Sequence, residues 1–226
     1  MRYHGVIPGR FLSRPNRFIA QVETAAGVET VHVKNTGRCR ELLVPGARVY
    51  LEPSSNPARK TPYDLIAVEK GEKLINMDAQ APNQVFAEWA AAGGFLPDVT
   101  AVRREVVWGE SRLDFCLETD RGPWLVEVKG VTLEEGGLAR FPDAPTERGV
   151  KHLRELRRAA EAGLGAALCF VVQMENIRSV APNDETHPAF GQALREAAEA
   201  GVTVLARECA VTPESLEIRG PVPVLL

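Results

Sequence analysis

The stretch Ser111-Arg112-Leu113-Asp114-Phe115-Cys116-Leu117-Glu118-Thr119-Asp120-Arg121-Gly122-Pro123-Trp124-Leu125-Val126-Glu127-Val128-Lys129-Gly130 decides the fold of this chain. It reads as two strands joined by a turn, because Glu118 to Pro123 is rich in turn formers. Side chains two apart in a strand point the same way. Leu125, Glu127 and Lys129 therefore share one face of the second strand, and Trp124, Val126 and Val128 the other. In the first strand Leu113, Phe115 and Leu117 form an apolar face with Asp114 opposite. A hairpin brings Asp114 beside Glu127. An unpaired buried charge is expensive, so so apolar a strand that keeps Glu127 and Lys129 marks a site. Two carboxylates with a lysine one step further suit a hard divalent cation and a polarised water. The plainer alternative is a same-face ion pair on a solvated sheet.

Upstream, residues 1–80 read as short strands. Arg17 to Glu23 pairs with Glu29 to Val33 through Ala25-Ala26-Gly27, and Arg48 to Glu52 and Tyr63 to Glu69 follow. Five or so strands with turns between them predict a small β-barrel of the OB type. From residue 81 the texture changes to mixed α/β. A helix is expected over Asn83 to Ala92 and strands over Thr100 to Val107, the Asp114 run and the Glu127 run. A polar loop from Glu134 to Pro145 precedes a helix that Thr146 caps and that runs to about Ala162. An apolar strand over Ala166 to Gln173, a helix over Ala189 to Ala200, and short strands over Val202 to Ala206 and Leu216 to Arg219 complete the order. Two domains are expected, 1–80 and 81–226.

With 226 residues and 45% hydrophobic content, the chain can bury a core without disulfides. Cys39, Cys116, Cys169 and Cys209 form no CxxC pair, which argues against zinc, and Cys116 and Cys169 read as buried thiols. There is no signal-peptide core and no run long enough to span a membrane, so a cytoplasmic location is expected. Net charge is only −3, but residues 1–82 carry 12 Lys and Arg against 8 Asp and Glu, and the remainder 15 against 22. That asymmetry suits a front module facing nucleic acid. Arg14, Arg17, Arg38 and Arg40 are its candidate phosphate contacts. Phe11, Phe18 and Tyr50 are core by default and base-stacking candidates only second. In the helix after Thr146, Val150, Leu153, Leu156 and Ala160 form the core stripe. Arg148, Lys151 and His152 gather near its start, where they could hold phosphate or simply make a solvated, salt-bridged face. His152 reads equally as a hydrogen-bonded structural histidine.

Four segments, Asn35-Thr36-Gly37-Arg38, Arg112-Leu113-Asp114-Phe115, Glu127-Val128-Lys129-Gly130-Val131-Thr132-Leu133 and Phe141 to Leu156, resemble the sugar fermentation stimulation protein (SfsA) family. The resemblance runs over nearly the whole chain. It implies an N-terminal OB-like barrel followed by an α/β domain like the restriction-endonuclease-like PD-(D/E)xK nucleases, and a DNA-binding role linked to sugar metabolism. Asp114 then stands for the first acidic residue, Glu127 and Lys129 for the (D/E)xK, and Glu88 for an accessory glutamate. Asp114, Glu127 and the Val128 carbonyl would hold Mg²⁺ or Mn²⁺, with Lys129 acting on the attacking water. Asp143 and Glu147 could lie at the metal rim. Leu113 stands where a proline is often found, and His187 where family members often have Asp. Related nucleases frequently pair, so a homodimer is a further expectation. Three readings stay open: a DNA-binding nuclease, a non-catalytic DNA-binding regulator, and a metal-dependent enzyme acting on a small phosphorylated metabolite.

Overall fold

The computed structural model describes residues 1–35, 37–56 and 58–226, so Thr36 of the Asn35–Arg38 motif lies outside the described residues. The chain opens with β1 (Ile7–Asn16), β2 (Ile19–Thr24), β3 (Gly27–Val33), β4 (Arg48–Pro53) and β5 (Tyr63–Lys70). These run in the order β3-β2-β1-β4-β5, and β5 returns to β3 in parallel at His32↔Asp64 and Val33↔Leu65. The sheet closes into a five-stranded OB barrel. Its interior is filled by Phe11, Ala20, Val22, Val31, Val49, Leu51 and Leu65, all buried. Of the aromatic stacking candidates, Phe11 is core, Tyr50 bonds Glu69, and Phe18 is exposed.

Strand β1 escaped the sequence reading because Pro8 and Pro15 look like breaks. Its two halves pair on different sides: Ile7 to Arg10 face β4, while Arg10 to Asn16 face β2 with irregular register around Pro15. Prolines are tolerated where a strand lacks a partner on one side or bulges.

A short strand β6 (Lys73–Asn76) leads from the barrel into the second domain. There follow α1 (Ala81–Ala91), β7 (Val99–Trp108), β8 (Ser111–Thr119), β9 (Trp124–Val131), β10 (Leu133–Glu135), β11 (Leu138–Phe141), α2 (Glu147–Glu161), β12 (Gly165–Val172), β13 (Ser179–Pro182), α3 (Pro188–Glu199), β14 (Thr203–Thr212) and β15 (Ser215–Val222). The main sheet has the order β15-β14-β12-β9-β8-β7, with β9, β12 and β14 parallel. Parallel strands covered on both faces read as continuous apolar runs, as β12 does. On one face Phe86 of α1 packs its ring 5.1 Å from that of Phe115. On the other, Leu153 and Leu156 of α2 join Leu125, Leu168 and Phe170.

The segment expected to be a polar loop holds the β10–β11 hairpin, turned by Gly136 and Gly137, and β11 pairs with β13. Strands this short carry too few residues to show an alternation. All four cysteines are free and buried. No described helix is long and apolar enough to cross a membrane.

A buried polar network joins the domains. The Asn76 amide donates to the Tyr3 hydroxyl (2.8 Å), and the Gln173 amide donates to Asn76 Oδ1 (2.9 Å) and to the Asp78 carbonyl (3.1 Å). Lys34 from the barrel pairs with buried Asp78 at 2.6 Å. Thr146 caps α2, its hydroxyl accepting from the Gly149 amide at 3.1 Å. Thr146→Ala should lower stability by ~1 kcal/mol in urea denaturation; an unchanged midpoint would show that the cap is dispensable.

Candidate functional site: a buried carboxylate pair

Strands β8 and β9 pair antiparallel at Phe115↔Val126, Cys116↔Leu125 and Leu117↔Trp124, so the next position sets Asp114 beside Glu127. There the backbone ladder gives way to side chains. The Asp114 amide donates to Glu127 Oε2 (3.3 Å), and the Val128 amide donates to Asp114 Oδ2 (2.8 Å). Because the ladder ends here, strict alternation in β8 also ends. Phe115 and Leu117 enter the core under α1, whereas Leu113 enters the core under α2, not the single apolar face expected.

Glu127 is 1% exposed, and its charge is met from two sides. Lys129 Nζ lies 2.6 Å from Oε1, and His152 Nδ1 approaches the same oxygen. The Arg148 Nε–H donates to His152 Nε2 at 3.3 Å, which makes Nε2 the acceptor and Nδ1–H the donor toward Glu127. Burial alone would push the Glu127 carboxyl up, but His152 and Lys129 hold it below the usual glutamate value. Asp114 goes the other way. Burial, and then the charge of Glu127, lift it above the usual aspartate value, against the Val128 amide, Lys129 and Asn83. Paired carboxylates whose environments push them apart are a common feature of functional sites.

At Gly130, inside β9, only glycine fits, because Pro82 Cγ lies 2.6 Å and Gln173 Oε1 2.5 Å from where a Cβ would go. Helix α1 contributes Asn83, whose amide donates to Asp114 Oδ1 at 2.9 Å. The sequence reading chose Glu88 from this helix, and the structure corrects it. Five residues on from Asn83 is roughly 140° around the helix, so Glu88 faces elsewhere. It takes the Met1 amino group at 2.7 Å and the Gln84 amide at 3.3 Å. Asn83 was legible only as a polar residue just after a helix-starting proline.

Of the two readings of His152, the hydrogen-bonded structural one fits its place. At 3% exposed and bonded to Glu127, it belongs to the carboxylate site and offers no surface to a nucleic acid. Arg148 and Lys151 are exposed, with Lys151 3.6 Å from Glu110 on the β7–β8 turn. His187 braces the start of α2: the Thr146 amide donates to its Nδ1 (3.3 Å) and its Nε2 meets Glu147 (3.1 Å). Glu147 makes that contact from the surface.

In the barrel, Arg14 is a structural residue rather than a phosphate contact. Its guanidinium donates to the carbonyls of Arg17, Asn35, Gly37 and Arg38 at 2.7–3.0 Å. This frames an open hollow of about 440 Å³ to which exposed Arg17, Arg38 and Arg40 contribute. Asp143 ties the same loop to the α/β domain by accepting from the Arg38 amide at 3.2 Å, and the contact leaves no room for a side chain at Gly37. Among the described residues no three His, Cys, Asp or Glu side chains converge as a metal cage. Asp114 and Glu127 are the two carboxylates that the β8–β9 pairing sets side by side.

An OB barrel joined to a mixed α/β domain with a buried carboxylate–lysine–histidine cluster defines a distinctive two-domain class. Residues 12–77 match the SfsA N-terminal OB domain, and residues 80–215 match the sugar fermentation stimulation protein RE domain. The chain is 54% identical to a sugar fermentation stimulation protein homolog of Desulfitobacterium hafniense (strain Y51), over 96% of this chain and 95% of the relative. It is 49% identical to the homolog of Clostridium beijerinckii over the full length of both. The structure of Pyrococcus furiosus SfsA in complex with Ca²⁺ superposes with a TM-score of 0.91 at 31% identity, covering 100% of this chain and 98% of that one. The chain belongs to the sugar fermentation stimulation protein (SfsA) family.

The raised Asp114 value has a consequence for stability. A carboxyl raised in the fold favours folding while protonated, and that contribution fades as pH climbs from the usual aspartate range through the raised value. Glu127 has the opposite sign, its contribution being present above the usual glutamate range and lost as pH falls through the lowered value. Asp114→Asn removes the first effect, keeps an acceptor for the Val128 amide, and lets Asn83 turn its own amide over. In metal-free buffer at neutral pH, the variant should equal or exceed wild type in urea denaturation. A loss above ~1 kcal/mol would contradict the repulsion described here.

Proposed function

We propose that this protein binds DNA and that its α/β domain hydrolyses phosphodiester bonds with Mg²⁺ or Mn²⁺ held at Asp114 and Glu127. The observation that carries the reading is the convergence of two carboxylates from adjacent strands, Glu127 buried and Asp114 half-buried, with Lys129 two residues beyond Glu127 and bonded to its Oε1. This spacing resembles the motif of the PD-(D/E)xK nucleases, which supports the reading. The donor set is all oxygen, which suits a hard cation. Asp114 is pushed up partly by Glu127, and a divalent ion would cancel that repulsion. The Pyrococcus furiosus relative was solved in complex with Ca²⁺, a cation of the same hard class.

Asp114, Glu127 and the Val128 carbonyl would hold the ion, which when bound polarises water and offsets phosphate charge. The chain supplies the rest. His152 fixes the orientation of Glu127 and keeps it ionised. Lys129 orients the attacking water and meets the charge that builds on phosphorus as the water oxygen bonds to it and the ester P–O bond breaks. Exposed Arg17, Arg38, Arg40, Arg148 and Lys151 would take phosphates along the strand. Pairing of two chains to address both strands belongs to the same proposal.

A second reading, a DNA-binding regulator without catalysis, draws on the same structure, since Lys129 is engaged by Glu127. One experiment separates them: cleavage and gel shift on labelled single-stranded, duplex and branched DNA with Mg²⁺, Mn²⁺ or EDTA. The nuclease reading expects metal-dependent cutting that Asp114→Ala and Lys129→Ala abolish, about 100-fold or more, while the shift remains. A shift without cutting under every condition would leave the regulator. Absence of any shift at moderate salt would turn the site toward a small phosphorylated metabolite.

A further inference from the structure

A second hollow lies on the barrel, about 360 Å³ in volume, with Phe18, His32, Val33, Lys34, Arg59, Asp64 and Gln80 around it. Its parts come from different places in the chain. The tight turn between β1 and β2 presents Phe18, and the Val33 amide donates to the Phe18 carbonyl at 2.8 Å, which holds the turn against β3. His32 and Asp64 meet at the seam where β3 and β5 close the barrel. Arg59 reaches in from the segment between β4 and β5.

The polar groups are arranged rather than incidental. Arg59 grips Asp64 with both terminal nitrogens, at 3.1 and 2.9 Å, and Asp64 accepts from His32 Nδ1 at 2.8 Å. Burial works against the Asp64 charge, but Arg59 and His32 outweigh it and hold the carboxyl below its usual value. With Nδ1 donating, His32 Nε2 is left as a ring acceptor, and it makes no hydrogen bond among the described residues. The Gln80 side-chain amide at the rim makes none either. Beside them Phe18 is 44% exposed, although a large aromatic in a barrel normally faces inward. The Arg17 guanidinium lies 4.8 Å from its ring centroid. An exposed aromatic ring beside an unused acceptor and an unused amide offers what a nucleobase needs: a surface to stack on and groups for its polar edge.

We propose that this hollow receives one unpaired nucleobase of a single DNA strand, stacked on Phe18, with its edge read by His32 and Gln80. The inference rests on the DNA-binding reading above. A base inside a duplex has both faces covered and its edge occupied, so only a single-stranded or unstacked nucleotide fits. Arg17, on the same turn, also lines the basic hollow, so the base site and the phosphate site flank one hairpin tip. Gln80 is the residue before α1, three positions from the Asn83 that holds Asp114.

The experiment is fluorescence anisotropy with the full chain in EDTA, on a short labelled single strand and on its matching duplex, for wild type, Phe18→Ala and Phe18→Trp. Phe18 is exposed, so both variants should fold, which circular dichroism checks. Phe18→Ala should weaken single-strand binding about tenfold or more, leave duplex binding within about twofold, and Phe18→Trp should restore it. Equal single-strand binding by wild type and Phe18→Ala would overturn the base site and leave DNA binding intact. An equal loss on single strand and duplex would overturn it too. Competition by a free mononucleotide at the affinity of the oligonucleotide would make the hollow a metabolite site and contradict the proposal. If wild type binds neither DNA form, the DNA-binding reading and the base site fall together.

Discussion

Two carboxylates that accept backbone amides across the β8–β9 pair organise this molecule. Where β8 parts from β9, Glu127 accepts from the Asp114 amide and Asp114 from the Val128 amide. Each amide would otherwise be left unpaired beside the hydrophobic core, which costs more than a hydrogen bond gains. The substitution of side chains for ladder bonds fixes both acids at the edge of a core. A buried carboxylate then needs partners, and Lys129 and His152 supply them. His152 lies on the second turn of α2, so the position of that helix follows from the needs of Glu127. The start of α2 is secured in turn by Thr146 and His187.

The barrel is attached with similar economy. Its connection to the α/β domain combines an apolar core that runs through Ile75 and Met77 into Val172 and Met174 with a polar network of Tyr3, Lys34, Asn76, Asp78 and Gln173. A polar network of this kind has few alternative arrangements that satisfy every member, so it specifies one docking of the two units. Arg14 spends its guanidinium on loop carbonyls, and Asp143 receives the same loop from the other domain. Arg38 and Arg40 are thereby presented from a loop held by both Arg14 and Asp143. The basic hollow, the exposed Phe18 and the carboxylate pair all lie along the first 40 residues of the barrel, the start of α1 and the β8–β9 hairpin.

Much of this was legible in the sequence, for physical reasons that can be named. The hairpin could be read because its period of two and its turn chemistry agree, and the helix after Thr146 because its cap and its apolar stripe agree. The barrel followed from the spacing of β2 to β5. What stayed hidden depended on contacts distant in sequence. Asn83 and Glu88 are equally plausible on a helical wheel until the strand that α1 packs on is placed. Arg14 looks like a surface cation, and His152 reads equally as a surface cation or a structural histidine; only tertiary contacts make one a loop brace and the other a buried partner of Glu127. Phe18 looked like core because most barrel aromatics are, and its exposure came from a two-residue turn that places it outside the strand.

The most direct measurement is calorimetric titration of the full chain with Ca²⁺ and Mg²⁺, comparing wild type with Asp114→Asn and Glu127→Gln. If the carboxylate pair holds the cation, wild type binds the ion and both variants bind it at least about tenfold more weakly, while their folds stay intact. Cation affinity unchanged in both variants would contradict the account, because the two acids would then be a structural pair and the metal, if any, would lie elsewhere.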